Sequence, residues 1–328
     1  MKVNGTMINY YFHCKRQCWL FANRINLENN SEDVHIGRVL HELKYNGNEN
    51  AEVSIENIKV DKITNDYLVE IKKSDADVKA AKWQTLLYLK ILKEKGIAKA
   101  IVLGIAENIY EVLYHYYKHG KKELKEFLYW LKEDIPNFLD KDLDIKHILF
   151  IEGQIWMKFY DSFKYFLPED FVMNKRAKRP PDNPINALIS FGNSILYSRT
   201  ITQIYNTHLN QTISFLHEPR ESRFSLSLDL SEVFKPVVVY KSIFELVNNR
   251  KIQVDKHFVK KFNYCLLNDS GKKIFIESIE NRFNNVFEHK ILKRKISYET
   301  AIKLDGYKLI KYCMEGKKFK PFSLKEMM

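Results

Sequence analysis

Apolar residues recur at helical spacing through most of the chain, and one segment breaks that rhythm. Ile8, Tyr11, Phe12, Leu20 and Phe21 predict helix within residues 1–30, and Gly37, Val39, Leu40 and Leu43 predict a second helix. Between Ala51 and Lys73 the period changes. Val53, Ile55 and Ile58 lead into Val60-Asp61-Lys62-Ile63, a turn at Thr64-Asn65-Asp66, and Tyr67-Leu68-Val69-Glu70-Ile71-Lys72. Such alternation around a polar turn predicts strands joined by a hairpin. Val78 to Lys95 returns to the helical period, and from Gly96 onward nearly everything reads as helix.

Within that later part, Ile97 to Tyr117 is long and amphipathic, and Leu124 to Leu131 is a further helix that Pro136 should stop. Residues 174–184 carry four cations and three prolines, which predicts a loop. Helical patterns resume over Ile185–Asn206, Val233–Asn248 and Ser297–Glu315. The fold class is mainly α, with a short α/β segment over residues 1–95 and an all-helical part over residues 96–328.

Composition adds a polyanion to this picture. The 328 residues are 45% hydrophobic, and the formal net charge is +12. Residues 1–95 hold 15 Lys+Arg against 13 Asp+Glu, and the remainder 38 against 28. A nucleic-acid surface should therefore lie in the later two thirds, although lysine excess alone also fits a codon bias. Cys14, Cys18, Cys265 and Cys313 are too few and scattered for a disulfide framework. The start lacks a charged-then-apolar leader, and no stretch reaches the roughly 18 apolar residues a membrane span needs. These features predict a cytoplasmic protein with no membrane partner.

Two constellations carry chemistry. The first is Asp61 followed by Glu70-x-Lys72. Alternation along a strand puts Glu70 and Lys72 on one face, where two carboxylates can hold a divalent ion and the lysine can orient an attacking water. His41 precedes this set, and Gln84 and Tyr88 follow at i and i+4 on a helix. The ordered set resembles the RecB-like nuclease family and, with Cys14-Lys15-Arg16 ahead of it, the CRISPR-associated exonuclease, the fourth Cas protein. That resemblance implies Asp61, Glu70 and His41 as metal ligands and Lys72 as catalytic lysine. The family also carries an iron–sulfur cluster on four cysteines. Cys14 matches one of them, and the other three are missing, so no cluster is expected.

The second constellation is Phe215-Leu216-His217-Glu218-Pro219, with Leu228-Asp229-Leu230-Ser231-Glu232 following and Glu152-Gly153 ahead. Imidazole with carboxylates suits Mg²⁺ or Mn²⁺, and Asp229 and Glu232 at i and i+3 share a helical face. Taken singly, Glu152 also reads as a helix-start carboxylate, His217 as a hydrogen-bonded structural histidine and Asp229 as a surface residue. Glu218 and Glu221 read as ion-pair partners, and His208 as structural or DNA-facing. Lys175, Arg176, Lys178 and Arg179 precede a Pro-Pro-Asp-Asn-Pro turn and should contact phosphates, the alternative being a solvated loop.

These motifs, with Phe150-Ile151-Glu152-Gly153, the run from Lys178 to Gly192, and Leu228 through Pro236, resemble the CRISPR adaptation integrase, the first Cas protein, over residues 97–328. The resemblance implies an all-helical catalytic domain in which Glu152, His217 and Glu232 hold Mg²⁺ or Mn²⁺, with Asp229 close by. It implies cleavage of DNA phosphodiesters and strand transfer into the repeat array during spacer acquisition, an antiviral function. The family dimerises through an N-terminal β-domain and works with a small companion, the second Cas protein. No counterpart of that β-domain is legible in residues 1–95, so dimer and companion contacts are expected to be weakened or absent. The chain thus reads as a truncated exonuclease segment, 1–95, joined to the helical part of an integrase, 96–328. The alternatives are a DNA-binding remnant without catalysis, or an end-trimming exonuclease run from the first constellation.

Overall fold

The computed structural model describes residues 3, 5–23, 51–55, 58–63, 68–69, 78–207, 209–217, 224–315 and 317–327. It divides into two units, Met1–Glu94 and Lys95–Met328.

In the first unit, helices α1 (Gly5–His13) and α2 (Lys15–Ala22) precede a three-stranded antiparallel meander. Its strands are β1 (Ala51–Ile55), β2 (Ile58–Ile63) and β3 (Leu68–Val69). Register pairs Val53 with Val60 and Lys62 with Val69, so the predicted hairpin forms. The second helix expected around Gly37–Leu43 lies outside the described residues.

A single helix, α3 (Val78–Lys118), runs through Gly96. A side chain there would put its Cβ 3.0 Å from the Tyr312 hydroxyl, so the glycine serves close packing rather than helix termination. Nor does Pro136 stop the next helix. α4 (Lys125–Tyr129) passes through a π turn at Trp130–Asp134 into α5 (Ile135–Asp140), whose first turn holds the proline. The register change of the π turn accommodates the missing N–H.

The second unit continues with α6 (Ile145–Asp161), α7 (Pro184–Tyr205) and α8 (Ser225–Phe234). A π segment, Lys235–Tyr240, joins α8 to α9 (Lys241–Asn248), and the short α10 (Val254–His257) follows. Beyond them the expectation of an all-helical domain fails. Strands β4 (Phe258–Lys261) and β5 (Tyr264–Leu267) form one hairpin. After α11 (Asp269–Asn284), strands β6 (Val286–His289) and β7 (Arg294–Ser297) form a second, ahead of α12 (Tyr298–Glu315). Each strand is four residues long, too short for period 2 to stand out against helix.

Helix α7 is the axis of this unit and touches α8, α12, the π segment and β5. Five consecutive residues, Ile185 to Ile189, are buried, as suits a helix surrounded on all sides. Gly192 lets the π segment approach, since a Cβ there would lie 2.6 Å from Val239 Cγ1. The final segment closes the core: Phe322 stacks on Phe234 with ring centroids 5.0 Å apart. Buried Asn108 holds it, donating to Val233 O and Phe322 O at 3.0 Å each and accepting from Leu324 N at 2.9 Å.

Candidate metal centre and cation-lined cleft

Helix α6 supplies the first acid. Asp144 caps it, its carboxylate accepting from His147 N at 2.8 Å. Ile148, Ile155 and Phe159 form the buried seam, and Glu152 occupies the position in that seam one turn after Ile148. A carboxylate set among apolar neighbours loses hydration. That desolvation, with the charge of Glu232 next in size, raises its pKa to about 7. Trp156, one turn further, donates its indole N–H to Glu152 Oε1 at 2.6 Å.

The imidazole comes from the segment before α8. Asp229, fully buried on α8, gathers three successive backbone N–H groups. Its Oδ2 accepts from Phe215 N (2.7 Å) and Leu216 N (2.9 Å), and its Oδ1 from His217 N (3.1 Å). The same Oδ1 meets His217 Nδ1 at 2.8 Å. Leu216, 1% exposed, anchors the turn. An Nδ1–H bonded to Asp229 leaves the Nε2 lone pair free to face a ligand. Burial opposes a charge on His217, but the hydrogen bond and charge of Asp229, with Glu232 and Glu152, outweigh it and raise its pKa.

Glu232, one turn after Asp229, completes the group. One ligand atom from each of Glu152, His217 and Glu232 falls within 4.8 Å of the others. Asp229, read from the sequence as a fourth metal ligand, stands behind the histidine instead. Four hydrogen bonds already occupy its two oxygens. Helical i, i+3 spacing did bring Asp229 and Glu232 to one side of α8, but the first takes the loop and the second the cluster.

Two neighbours were not foreseen. Lys235 forms an ion pair with Glu232 Oε1, and its ammonium sits 5.6 Å from the Trp156 ring centroid. Their signals were local: Lys235 is i+3 from Glu232, and Trp156 is i+4 from Glu152.

The three residues open onto a cleft of about 1090 Å³, which Lys175, Arg176, Lys178 and Arg179 also line. The loop bearing these cations is tied down by buried Asn186, which donates to Lys175 O (3.0 Å) and Asp182 Oδ1 (2.8 Å). Arg176 differs from the expectation of a phosphate contact. Its guanidinium donates to Asn186 Oδ1 (3.0 Å), Ser190 Oγ (2.9 Å) and Ala177 O, so it braces the loop on α7. Lys175, Lys178 and Arg179 are exposed and have no ion pair among the described residues.

The N-terminal constellation is less completely placed. Asp61 lies on β2, and Gln84 and Tyr88 lie one turn apart on α3. His41, Glu70 and Lys72 lie outside the described residues, as do His208, Glu218 and Glu221. Cys14 sits at the N-cap of α2, and none of Cys14, Cys18, Cys265 and Cys313 forms a disulfide among the described residues. No described helix is long and apolar enough to cross a membrane.

A helical unit whose acid–imidazole cluster shares a cleft with exposed cations has the features of a phosphate-handling protein. Comparison with known proteins narrows that class. The sequence profile of the family described as CRISPR associated protein Cas1 matches residues 62–281, and the chain belongs to that family. The match begins inside the segment that the sequence alone assigned to a RecB-like nuclease.

Among similar proteins, CRISPR-associated protein Cas1 1 of Methanobrevibacter ruminantium is 44% identical over 233 residues, 70% of this chain and 68% of the relative. CRISPR-associated endonuclease Cas1 of Fusobacterium nucleatum is 39% identical over 237 residues, 72% of this chain and 69% of the relative. The structure of a CAS1 protein from Thermotoga maritima aligns with a TM-score of 0.58 at 31% identity, covering 70% of this chain and 72% of that one. Two more distant structures share the fold. One is a partial Cas6-RT-Cas1–Cas2 complex (TM-score 0.63, 20% identity, 71% and 70% covered). The other is a casposase bound to its integration product (0.59, 22%, 72% and 68%).

Proposed function

We propose that the chain is a divalent-metal-dependent DNA endonuclease and integrase of CRISPR spacer acquisition, acting from Glu152, His217 and Glu232. One observation carries the reading: these three ligand atoms converge within 4.8 Å and share a cleft with three exposed cations. Two carboxylates and one imidazole fit Mg²⁺ or Mn²⁺, which take hard oxygen ligands and keep positions open for water and phosphate. Such an ion, when bound, would neutralise charge on the scissile phosphate and acidify a water or a DNA 3′-hydroxyl. Asp229 aims the Nε2 lone pair of His217 at the site, and Lys235 offsets part of the negative charge on Glu232. Lys175, Lys178 and Arg179 meet phosphates along the strand, which positions without reading bases. Attack by water cuts the strand, and attack by a 3′-hydroxyl joins one DNA to another.

The relatives support this reading. One is named an endonuclease, and the casposase shares the fold while holding integrated DNA. The Cas2-containing complex makes a small Cas2-type companion a candidate partner. The test is nicking of a branched duplex with Mn²⁺ or Mg²⁺. Parent protein should nick, EDTA should stop it, and Glu152→Ala and His217→Ala should abolish it. Variants that cut as well as the parent sink the proposal. Turnover that survives both variants but is lost in Asp61→Ala would move the activity to the N-terminal constellation. Salt-sensitive DNA binding without turnover would leave a binding remnant.

A further inference from the structure

Glycine in a helix interior is less favourable than alanine, so each helical glycine invites a reason. Inside this protein most reasons are visible. A Cβ at Gly104, Gly192, Gly271 or Gly306 would lie 2.4–2.9 Å from a neighbouring atom, and at Gly96 3.0 Å from one. Gly153 differs. It sits mid-way along α6, and a Cβ there would meet nothing within 4 Å. The fold has no need of a glycine at this point.

What the position does have is an address. Gly153 is exposed, adjoins Glu152 and lines the same cleft as Lys175, Lys178 and Arg179. One turn on, Met157 lines the cleft as well and is 50% exposed, and on the preceding turn Phe150 is 65% exposed. Between Glu152 and Asp161, which also line the cleft, α6 presents the uncharged residues Gly153, Trp156, Met157 and Tyr160, while the loop supplies cations. The cleft is therefore two-sided in chemistry.

Resting on the function proposed above, we infer that Gly153 is the point where the substrate strand touches α6. The missing side chain lets the strand lie directly on the helix backbone beside Glu152. Its deoxyribose edge packs on Gly153 and Met157, and its phosphates turn toward Lys175, Lys178 and Arg179. Glycine is the residue that admits so close an approach of a second backbone.

The test is Gly153→Ala, read in three ways. Thermal melting should rise or stay level, because the methyl enters open space and favours helix. Mn²⁺ affinity, measured calorimetrically, should match the parent. Binding to a fluorescein-labelled branched duplex, followed by anisotropy with Ca²⁺ in place of Mn²⁺ to prevent turnover, should weaken at least tenfold, and further in Gly153→Val. A Gly153→Ala protein that binds DNA within twofold of the parent overturns the inference. So does one that melts below the parent, since that would reveal an internal need for the glycine. DNA binding is read apart from cleavage. A parent that never nicks, together with a variant that binds poorly, would reject the enzyme and keep the contact.

Discussion

Asp229→Asn tests whether this side chain acts by holding His217, a proposed metal ligand, in place. The aspartate accepts four hydrogen bonds, two on each oxygen, at 2.7–3.1 Å. Asparagine keeps one oxygen and replaces the other with a donor. If its oxygen stays on Phe215 N and Leu216 N, its NH₂ faces His217. The His217 backbone N–H then loses its acceptor, and Nδ1 must accept a hydrogen bond rather than donate one. The ring proton moves to Nε2, and the lone pair aimed at Glu152 and Glu232 disappears. A buried donor left unpaired costs about 1–3 kcal/mol, so the stranded His217 backbone N–H should cost about that much stability. Changes to the partner behind a liganding histidine typically cost about 10–100-fold in metal affinity. Urea denaturation reads the first effect, and Mn²⁺ calorimetry the second. The ¹⁵N shifts of the His217 ring read the tautomer directly. Parental Mn²⁺ affinity with Nε2 still unprotonated would refute the account, since the aspartate would then have no part in aiming the imidazole.

Three further predictions test other links. Asp144→Ala removes the cap of the helix that carries Glu152 and should cost about 1 kcal/mol by denaturation. The His147 N–H first, and then its ring, hold the Asp144 carboxyl below its ordinary value of 3.8. The contribution is therefore present above about pH 4 and lost as pH falls through the lowered pKa, so parent and variant stabilities should converge in strong acid. Asn108→Ala strands Val233 O, Phe322 O and Leu324 N in the core, and at about 1–3 kcal/mol per orphaned group it should be among the most damaging changes away from the cleft. Lys178→Ala combined with Arg179→Ala should reduce the slope of log binding against log salt by about 2 without altering the melting temperature. An unchanged slope would show that neither cation meets phosphate.

Local periodicity was enough for much of this protein. Helices α3, α7, α9 and α12 were legible because apolar residues recur at helical spacing for two turns or more, and the β2–β3 hairpin because alternation flanked a polar turn. The mixture of imidazole, carboxylates and cations likewise pointed to a hard ion beside a polyanion. Short or compensated features were hidden: the four-residue strands and the π turn that accommodates Pro136. The division of labour at the site was hidden as well. Asp229 and Glu232 are both acids on one side of one helix, and their spacing is the same for either role. Only tertiary packing decides between them. The chain turns back at Phe215–His217 and delivers three N–H groups to Asp229, while α6 brings Glu152 against Glu232. Sequence specifies which chemical groups exist and which face of an element they share. Which of them meet across the core depends on how the elements stack, and pairwise spacing along the chain carries no record of that.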